Sequence, residues 1–110
     1  MVDCRRIALA GTFVLVLAGG TLPAGGAPKT HTVTVEGMRF VPQTLTVQRG
    51  DRVVWVNKDL FPHTATATGG AFDSRNIAPN ASWTHVAREP GRFAYLCSLH
   101  ATMTGTLAVQ

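Results

Sequence analysis

The sequence predicts an all-β domain, folded as a two-layer Greek-key antiparallel β-sandwich and preceded by a signal peptide. Three observations lead to this prediction: short segments in which apolar and polar residues alternate, turn-forming residues between those segments, and no amphipathic helical pattern after the first 26 residues. Seven or eight short strands separated by turn signals are typical of a β-sandwich. A chain of 110 residues has room for one such domain.

The beginning of the chain has the pattern of a secretory signal peptide. Arg5 and Arg6 precede an apolar stretch at residues 7–18, and a segment rich in Gly, Ala and Pro follows. This apolar stretch of 12 residues is shorter than the roughly 20 residues that a transmembrane helix needs. We place cleavage after Gly26, which gives a signal peptide at residues 1–26 and a domain at residues 27–110. Cleavage after Gly20 and a retained N-terminal anchor are the alternatives.

Three strands are predicted before the first candidate functional residue. Residues 32–36 and 43–48 alternate between polar and apolar side chains, as half-buried strands do. Residues 53–56 form a denser apolar run, Val-Val-Trp-Val, which indicates a central strand. Gly37 interrupts the first alternation, and Gly50 begins a turn into the third strand.

Four more strands are predicted in the second half of the chain. Gly-Gly, Pro-Asn and Pro-Gly pairs separate them and favour turns. The predicted strands are residues 63–68, 82–86, 92–97 and 105–109. Aromatic side chains are expected to supply much of the small core, namely Phe40, Trp55, Phe72, Trp83, Phe93 and Tyr95.

The charge of the chain argues against nucleic-acid binding. Removing residues 1–26 takes away two arginines and one aspartate, which lowers the net charge from +4 to +3. The remaining basic residues are dispersed along the chain, whereas nucleic-acid-binding proteins cluster them on one face or helix. The pattern indicates a mildly basic surface that would favour an acidic partner or simply solubility.

The segment 97–103, with the sequence CSLHATM, carries the strongest functional signal. It holds a thiol, an imidazole and a thioether, and Cys97 is the one cysteine that remains after removal of the predicted signal peptide. A lone thiol in an oxidising compartment is exposed to disulfide exchange and oxidation unless a metal occupies it. Two histidines, a cysteine and a distant axial methionine are the ligand set of electron-transfer copper sites.

The second histidine of such a site has to come from another part of the chain. His63, 34 residues before Cys97, is the best candidate, because His31 and His85 lie in strand-like alternation far from the segment 97–103. A buried structural role for Cys97 and a core role for Met103 are the alternatives. We therefore predict one copper ion bound by His63, Cys97, His100 and Met103.

Further segments accompany these candidate ligands. They are MRFVP at 38–42, GDRVVWVN at 50–57, DLFPHT at 59–64, FDS at 72–74, EPG at 89–91 and YLC at 95–97. From about Val33 to Val109 the chain resembles the cupredoxins of the plastocyanin and amicyanin type, and the short spacing within 97–103 is similar to that of amicyanin. Two positions depart from the family pattern: Leu99 stands where proline often precedes the histidine, and Thr64 stands where asparagine often follows the upstream histidine.

The resemblance implies a one-electron carrier rather than an enzyme. A type 1 (blue) copper ion would cycle between Cu(II) and Cu(I). The predicted signal peptide separately indicates export to the periplasm or the cell exterior. The Cys97 thiolate would give the strong bond, His63 and His100 would complete the trigonal plane, and Met103 would tune the potential from the axial side. Asn57 and Asp59 are interpreted as structural residues of the loop that presents His63, since such contacts orient ligands.

The resemblance also implies where partners bind. His100 would present its ring edge at the surface to redox partner proteins, both donor and acceptor. An apolar collar around it would suit brief contacts through a small interface. Neither nucleic-acid binding nor stable membrane insertion is expected, and the protein is expected to be a monomer. The residues of the predicted collar are Leu60, Phe61, Leu99 and Ala101. The alternative for Leu60 and Phe61 is that they only cap the core.

A copper chaperone or scavenger, which exchanges metal rather than electrons, is the alternative function. Such a protein is expected to use exposed Met and His ligands with open coordination. Intense blue absorption with a narrow hyperfine splitting favours the carrier, and ready transfer of copper to a weak chelator favours the chaperone. Catalysis of the multicopper oxidase or nitrite reductase kind is disfavoured, because the sequence lacks the additional histidine clusters that those enzymes need.

Overall fold

The structure, a computed structural model, describes residues 26–110 and forms eight strands without a helix in that range. The predicted all-β class is therefore confirmed. The predicted signal peptide, including Cys4, lies almost wholly outside the described residues. The strands are β1 (Thr30–Val35), β2 (Phe40–Val41), β3 (Thr44–Val47), β4 (Arg52–Asn57), β5 (Thr66–Ala67), β6 (Ser82–Val86), β7 (Gly91–Cys97) and β8 (His100–Val109).

The strands form two four-stranded sheets, with the orders β2-β1-β4-β6 and β3-β8-β7-β5. The two-layer sandwich is thus as predicted, but the strands are not all antiparallel. β1 pairs with β4 in parallel, and β3 pairs with β8 in parallel. The reason lies in the connections: after β2 the chain crosses to the other sheet as β3, so that β4 returns beside β1 in the same direction. The alternation of polar and apolar residues does not predict such a crossing, and so it does not predict whether two paired strands are parallel or antiparallel.

Three strands depart most from the prediction, whereas the bounds of the others agree within two residues. β2 is not among the predicted strands, because its two residues are too few to produce an alternating pattern. The predicted strand at 63–68 contributes only Thr66–Ala67 to a sheet, because His63 and Ala65 hydrogen-bond to the segment from Ser74 to Ile77 instead of to a neighbouring strand. β8 begins at His100 rather than at residue 105, since Ser98 and Leu99 form a tight turn directly after β7.

Aromatic side chains fill the space between the sheets. The Trp55 ring, fully buried, lies 5.5 Å between centroids from each of Phe72, Trp83 and Tyr95. Phe40 packs edge-on against Tyr95 at 4.7 Å. Of the six predicted core aromatics, Trp83 and Phe93 are only partly buried and pack against this cluster from outside. Cys97, two residues after Tyr95 on β7, belongs to the same buried core.

Gly105 of β8 is required by the size of the Tyr95 side chain. A Cβ atom at position 105 would lie 2.5 Å from Cζ and 2.6 Å from the hydroxyl oxygen of Tyr95. We expect Gly105→Ala to lower the free energy of unfolding by about 2 to 3 kcal/mol, because the buried ring has to leave its position. Chemical denaturation measures this loss. Gly69→Ala, where a Cβ meets no atom within 4 Å, serves as the control, and equal effects of the two changes would contradict the explanation.

The start of β1 is fixed by the buried carboxylate of Asp51. The backbone N–H groups of Lys29 and Gln48 and the imidazole of His31 all contact this carboxylate at 2.9 to 3.0 Å. The Lys29 and His31 hydrogen bonds contribute most to lowering the pKa of Asp51 from 3.8 to about 2. His31 therefore has a structural partner at the beginning of β1.

Within residues 26–110, the structure contains no helix of the length and apolarity needed to cross a membrane.

Candidate metal centre

His63 and Cys97 meet where the two sheets end. Cys97 is the last residue of β7, and His63 is held by two backbone hydrogen bonds with Ile77, of 3.2 Å and 2.7 Å. His63 Nδ1 lies 3.7 Å from Cys97 Sγ, and both residues are completely buried. Cys97 forms no disulfide in the part of the chain that the structure describes. The predicted pairing of a distant histidine with this thiol is therefore present in the fold.

Thr64 connects the two segments that carry His63 and Cys97. Its backbone N–H donates to Cys97 Sγ at 3.3 Å. Its hydroxyl oxygen accepts from the backbone N–H of Ser98 at 2.8 Å and also contacts the Ser98 hydroxyl at 3.1 Å. Thr64 stands at a position where asparagine is expected from the resemblance. In the structure the threonine hydroxyl itself joins the two segments.

His100 and Met103 follow Cys97 through an irregular part of the β7–β8 ladder. Leu96 pairs with Thr104, but Cys97 pairs with His100, so the three residues between His100 and Thr104 lie outside the ladder. This bulge keeps His100 beside Cys97 and leaves Met103 buried in the same core cluster as the thiol. The rings of His63 and His100 are 5.3 Å apart between centroids, at an interplanar angle of 63°.

The side chain of Asn57 holds the loop between β4 and His63. Asn57, fully buried, donates from Nδ2 to the carbonyls of Phe61 and Ile77 at 2.7 Å and 2.9 Å. Its Oδ1 accepts from the backbone N–H of Asp59 at 2.9 Å. The interpretation of Asn57 as a structural residue of this loop fits these contacts, which cross-link the loop to the chain segment around Ile77.

Asp59 contacts His63 directly, in addition to the structural role in the loop that the sequence predicts for it. Its Oδ2 lies 2.8 Å from His63 Nε2. Burial acts to raise the pKa of Asp59, but hydrogen bonds from the Met38 and Gly37 amides and from His63 outweigh it, so the pKa lies below its ordinary value. The four-residue spacing of Asp59 and His63 is the one signal in the sequence, and it is weak because a loop imposes no fixed direction on side chains.

The other histidines lie away from this centre. His31 contacts Asp51, and His85 packs against Phe72 and Trp83, at 4.8 Å and 5.7 Å between ring centroids. His85 is half-buried, and burial lowers its pKa. Neither is near the segment 97–103.

The chemistry of the contacting groups fits a soft metal ion. Because Nε2 of His63 is bound to a carboxylate, the lone pair of Nδ1 is available to bind a metal ion on the side of Cys97. A thiol, an imidazole and a carboxylate in line also occur in cysteine nucleophiles, but Cys97 is fully buried, so no substrate reaches its sulfur. Across residues 26–110, no three His, Cys, Asp or Glu side chains are already gathered as one metal cluster. The close pair is His63 and Cys97, with His100 in ring contact.

Comparison with known proteins identifies relatives of one kind. A family model described as a cupredoxin-like domain matches residues 7–109. Amicyanin from Paracoccus versutus is 26% identical over 83 residues, which cover 71% of this chain and 63% of that protein. Chloroplastic plastocyanin from Tetradesmus obliquus is 32% identical over 84 residues, or 64% of this chain and 58% of the relative. The match therefore spans less than two thirds of either relative.

A comparison with solved structures also finds amicyanin. A solved structure of the Cu(I) form of an amicyanin variant superposes with a TM-score of 0.71 at 24% identity, and the match covers 79% of this chain and 88% of that one. At this identity the likeness concerns the fold. The two-sheet arrangement described above is thus the arrangement of that protein.

Proposed function

Because this chain belongs to the family of cupredoxin-like domains, we propose that it is a type 1 copper protein that carries single electrons between redox partners and is not an enzyme. The observation that carries the proposal is the buried pair of His63 Nδ1 and Cys97 Sγ at 3.7 Å. The similarity to amicyanin and plastocyanin supports the same function. The N-terminal signal pattern supports export, and we propose the periplasm or the cell exterior as its location.

We assign the copper ligands to His63, Cys97, His100 and Met103. When bound there, a copper ion supplies a one-electron couple between Cu(II) and Cu(I). The chain's own part is to keep the donors fixed: the thiolate accepts the Thr64 N–H, and the hydroxyl of Thr64 ties the two ligand segments together. Full burial of His63 and Cys97 excludes water and substrates, which fits electron transfer and not catalysis.

Exposed apolar side chains stand next to both histidines in the sequence, and we propose that together they form a surface on which redox partners dock. Leu60 is 86% exposed and Phe61 58%, and both directly precede Pro62 and His63. Leu99, 48% exposed, directly precedes His100. Exposed large apolar side chains that adjoin one another on a small protein mark an interaction site. We call Leu60, Phe61, Leu99 and Ala101 the collar.

We expect Leu99→Asp to slow electron self-exchange between two copies of the protein at least about tenfold, because two like charges meet when the collars touch. The visible spectrum should stay nearly unchanged, since Leu99 is no ligand. Line broadening in mixtures of oxidised and reduced protein measures the exchange rate. Gln110→Asp, at the exposed end of the chain beyond β8, adds the same charge away from the collar as a control. An equal rate in both variants would refute docking through the collar.

The alternative function, copper exchange as a chaperone, is less compatible with the burial of the site. A chaperone needs donors that another protein can reach, whereas His63, Cys97 and Met103 are all buried. Mass spectrometry of the exported, copper-loaded protein together with its visible spectrum tests the carrier. A colourless product that passes copper to a weak chelator would favour the chaperone instead.

A further inference from the structure

The carboxylate of Asp59 is held in place from the side opposite to His63. Its Oδ1 accepts from the Gly37 N–H at 2.8 Å, and its Oδ2 accepts from the Met38 N–H at 3.0 Å. Gly37 and Met38 both have positive φ angles, of 66° and 61°. Successive backbone N–H groups in such a turn form a concave site for an anion. The turn between β1 and β2 therefore has a conformation that fits this carboxylate.

The remaining acceptor capacity of Asp59 is directed at His63. Oδ2 lies 2.8 Å from His63 Nε2, and the His63 side chain is fully buried while that of Asp59 is 13% exposed. The backbone N–H of Asp59 is also bound, by Asn57 Oδ1 at 2.9 Å. With backbone and side chain both fixed, Asp59 has little freedom to move away from the imidazole.

From these contacts we propose that Asp59 is a positioning residue, whose carboxylate fixes His63 with its proton on Nε2 and makes Nδ1 a stronger donor toward the metal. The proposal rests on the proposed function for the identity of the metal. A negatively charged hydrogen-bond acceptor increases the basicity of an imidazole ligand. The stronger donor favours Cu(II) over Cu(I), so Asp59 lowers the reduction potential of the site.

Asp59→Asn tests this role with almost no change in size. An amide offers one acceptor oxygen to three donors, namely the Gly37 and Met38 amides and His63 Nε2, so His63 loses its charged partner. We expect Cu(II) affinity to fall by about 10- to 100-fold, as it does when contacts behind a metal ligand are removed. Cu(I) affinity should fall less, and each tenfold difference between the two losses raises the potential by about 59 mV. Competition with chelators measures the Cu(II) and Cu(I) affinities, and voltammetry measures the reduction potential.

Asp73→Asn is the matched control. Asp73 is an exposed carboxylate that contacts the Thr66 hydroxyl and the Arg75 N–H and touches no proposed ligand. The Asp73→Asn substitution removes the same charge near the same end of the molecule, so it reports the long-range electrostatic effect alone. Equal affinities and potentials in the two variants would overturn the proposal.

A measurement on the unmodified protein keeps the test independent of folding in the variant. Nitrogen NMR of the metal-free protein identifies the protonated ring nitrogen of His63, and we expect it to be Nε2. Protonation of Nδ1 instead would overturn the positioning role. If the protein bound no copper, the proposed function would fail, while the ring tautomer would still decide the role of Asp59.

Discussion

Replacing Cys97 by serine is expected to abolish the intense visible absorption of the copper-loaded protein. That absorption requires a copper–thiolate bond, and a serine hydroxyl does not replace a soft thiolate at this site. Copper affinity should fall more than about 100-fold, because the loss of contacts behind a metal ligand already costs about 10- to 100-fold. The variant should still fold, since serine has nearly the same shape. Visible spectroscopy and chelator competition measure the two losses.

His85→Gln is the control for the Cys97 variant. His85 packs against Phe72 and Trp83 rather than against the candidate ligands, so colour and copper affinity should be retained. A Cys97→Ser protein that keeps its colour would refute the proposed metal centre. Loss of colour in both variants to the same extent would show that destabilisation, and not loss of a ligand, is the cause.

Asn57→Ala is expected to lower the free energy of unfolding of the metal-free protein by about 3 kcal/mol. The substitution leaves the Phe61 carbonyl and the Asp59 N–H without their partners, and the Ile77 carbonyl keeps only its hydrogen bond from the His63 N–H. Buried polar groups that lose a hydrogen bond pay the cost of desolvation without compensation. Denaturant titration measures the change.

Copper binding should weaken in the Asn57 variant as well, because Phe61 and Asp59 belong to the loop that positions His63. Asn76→Ala provides the control. Asn76 is exposed, and its replacement should change stability by no more than about 0.5 kcal/mol. A loss at position 57 no larger than that at position 76 would mean that the buried asparagine does not hold the loop.

The architecture and the ligand candidates follow largely from local sequence. Period-two alternation reports which face of a strand is buried, and together with the dense apolar run at 53–56 it indicates seven of the eight strands, including β6 with its observed bounds. The spacing of Cys97, His100 and Met103 is local too, and the chemistry of a thiolate, an imidazole and a thioether limits the metals they can bind. Their assignment as ligands stays a prediction.

Only the tertiary structure decided how distant segments meet. The parallel pairing of β1 with β4, the contact between His63 and Cys97, and the role of the Thr64 hydroxyl all join residues at least 20 positions apart. The turn at Gly37 and Met38 that holds Asp59 is a further case, 21 to 22 positions away. Sequence patterns predict which face of a strand each side chain lies on. They do not predict the relative direction of paired strands or the path of a loop, because these depend on how the whole chain packs.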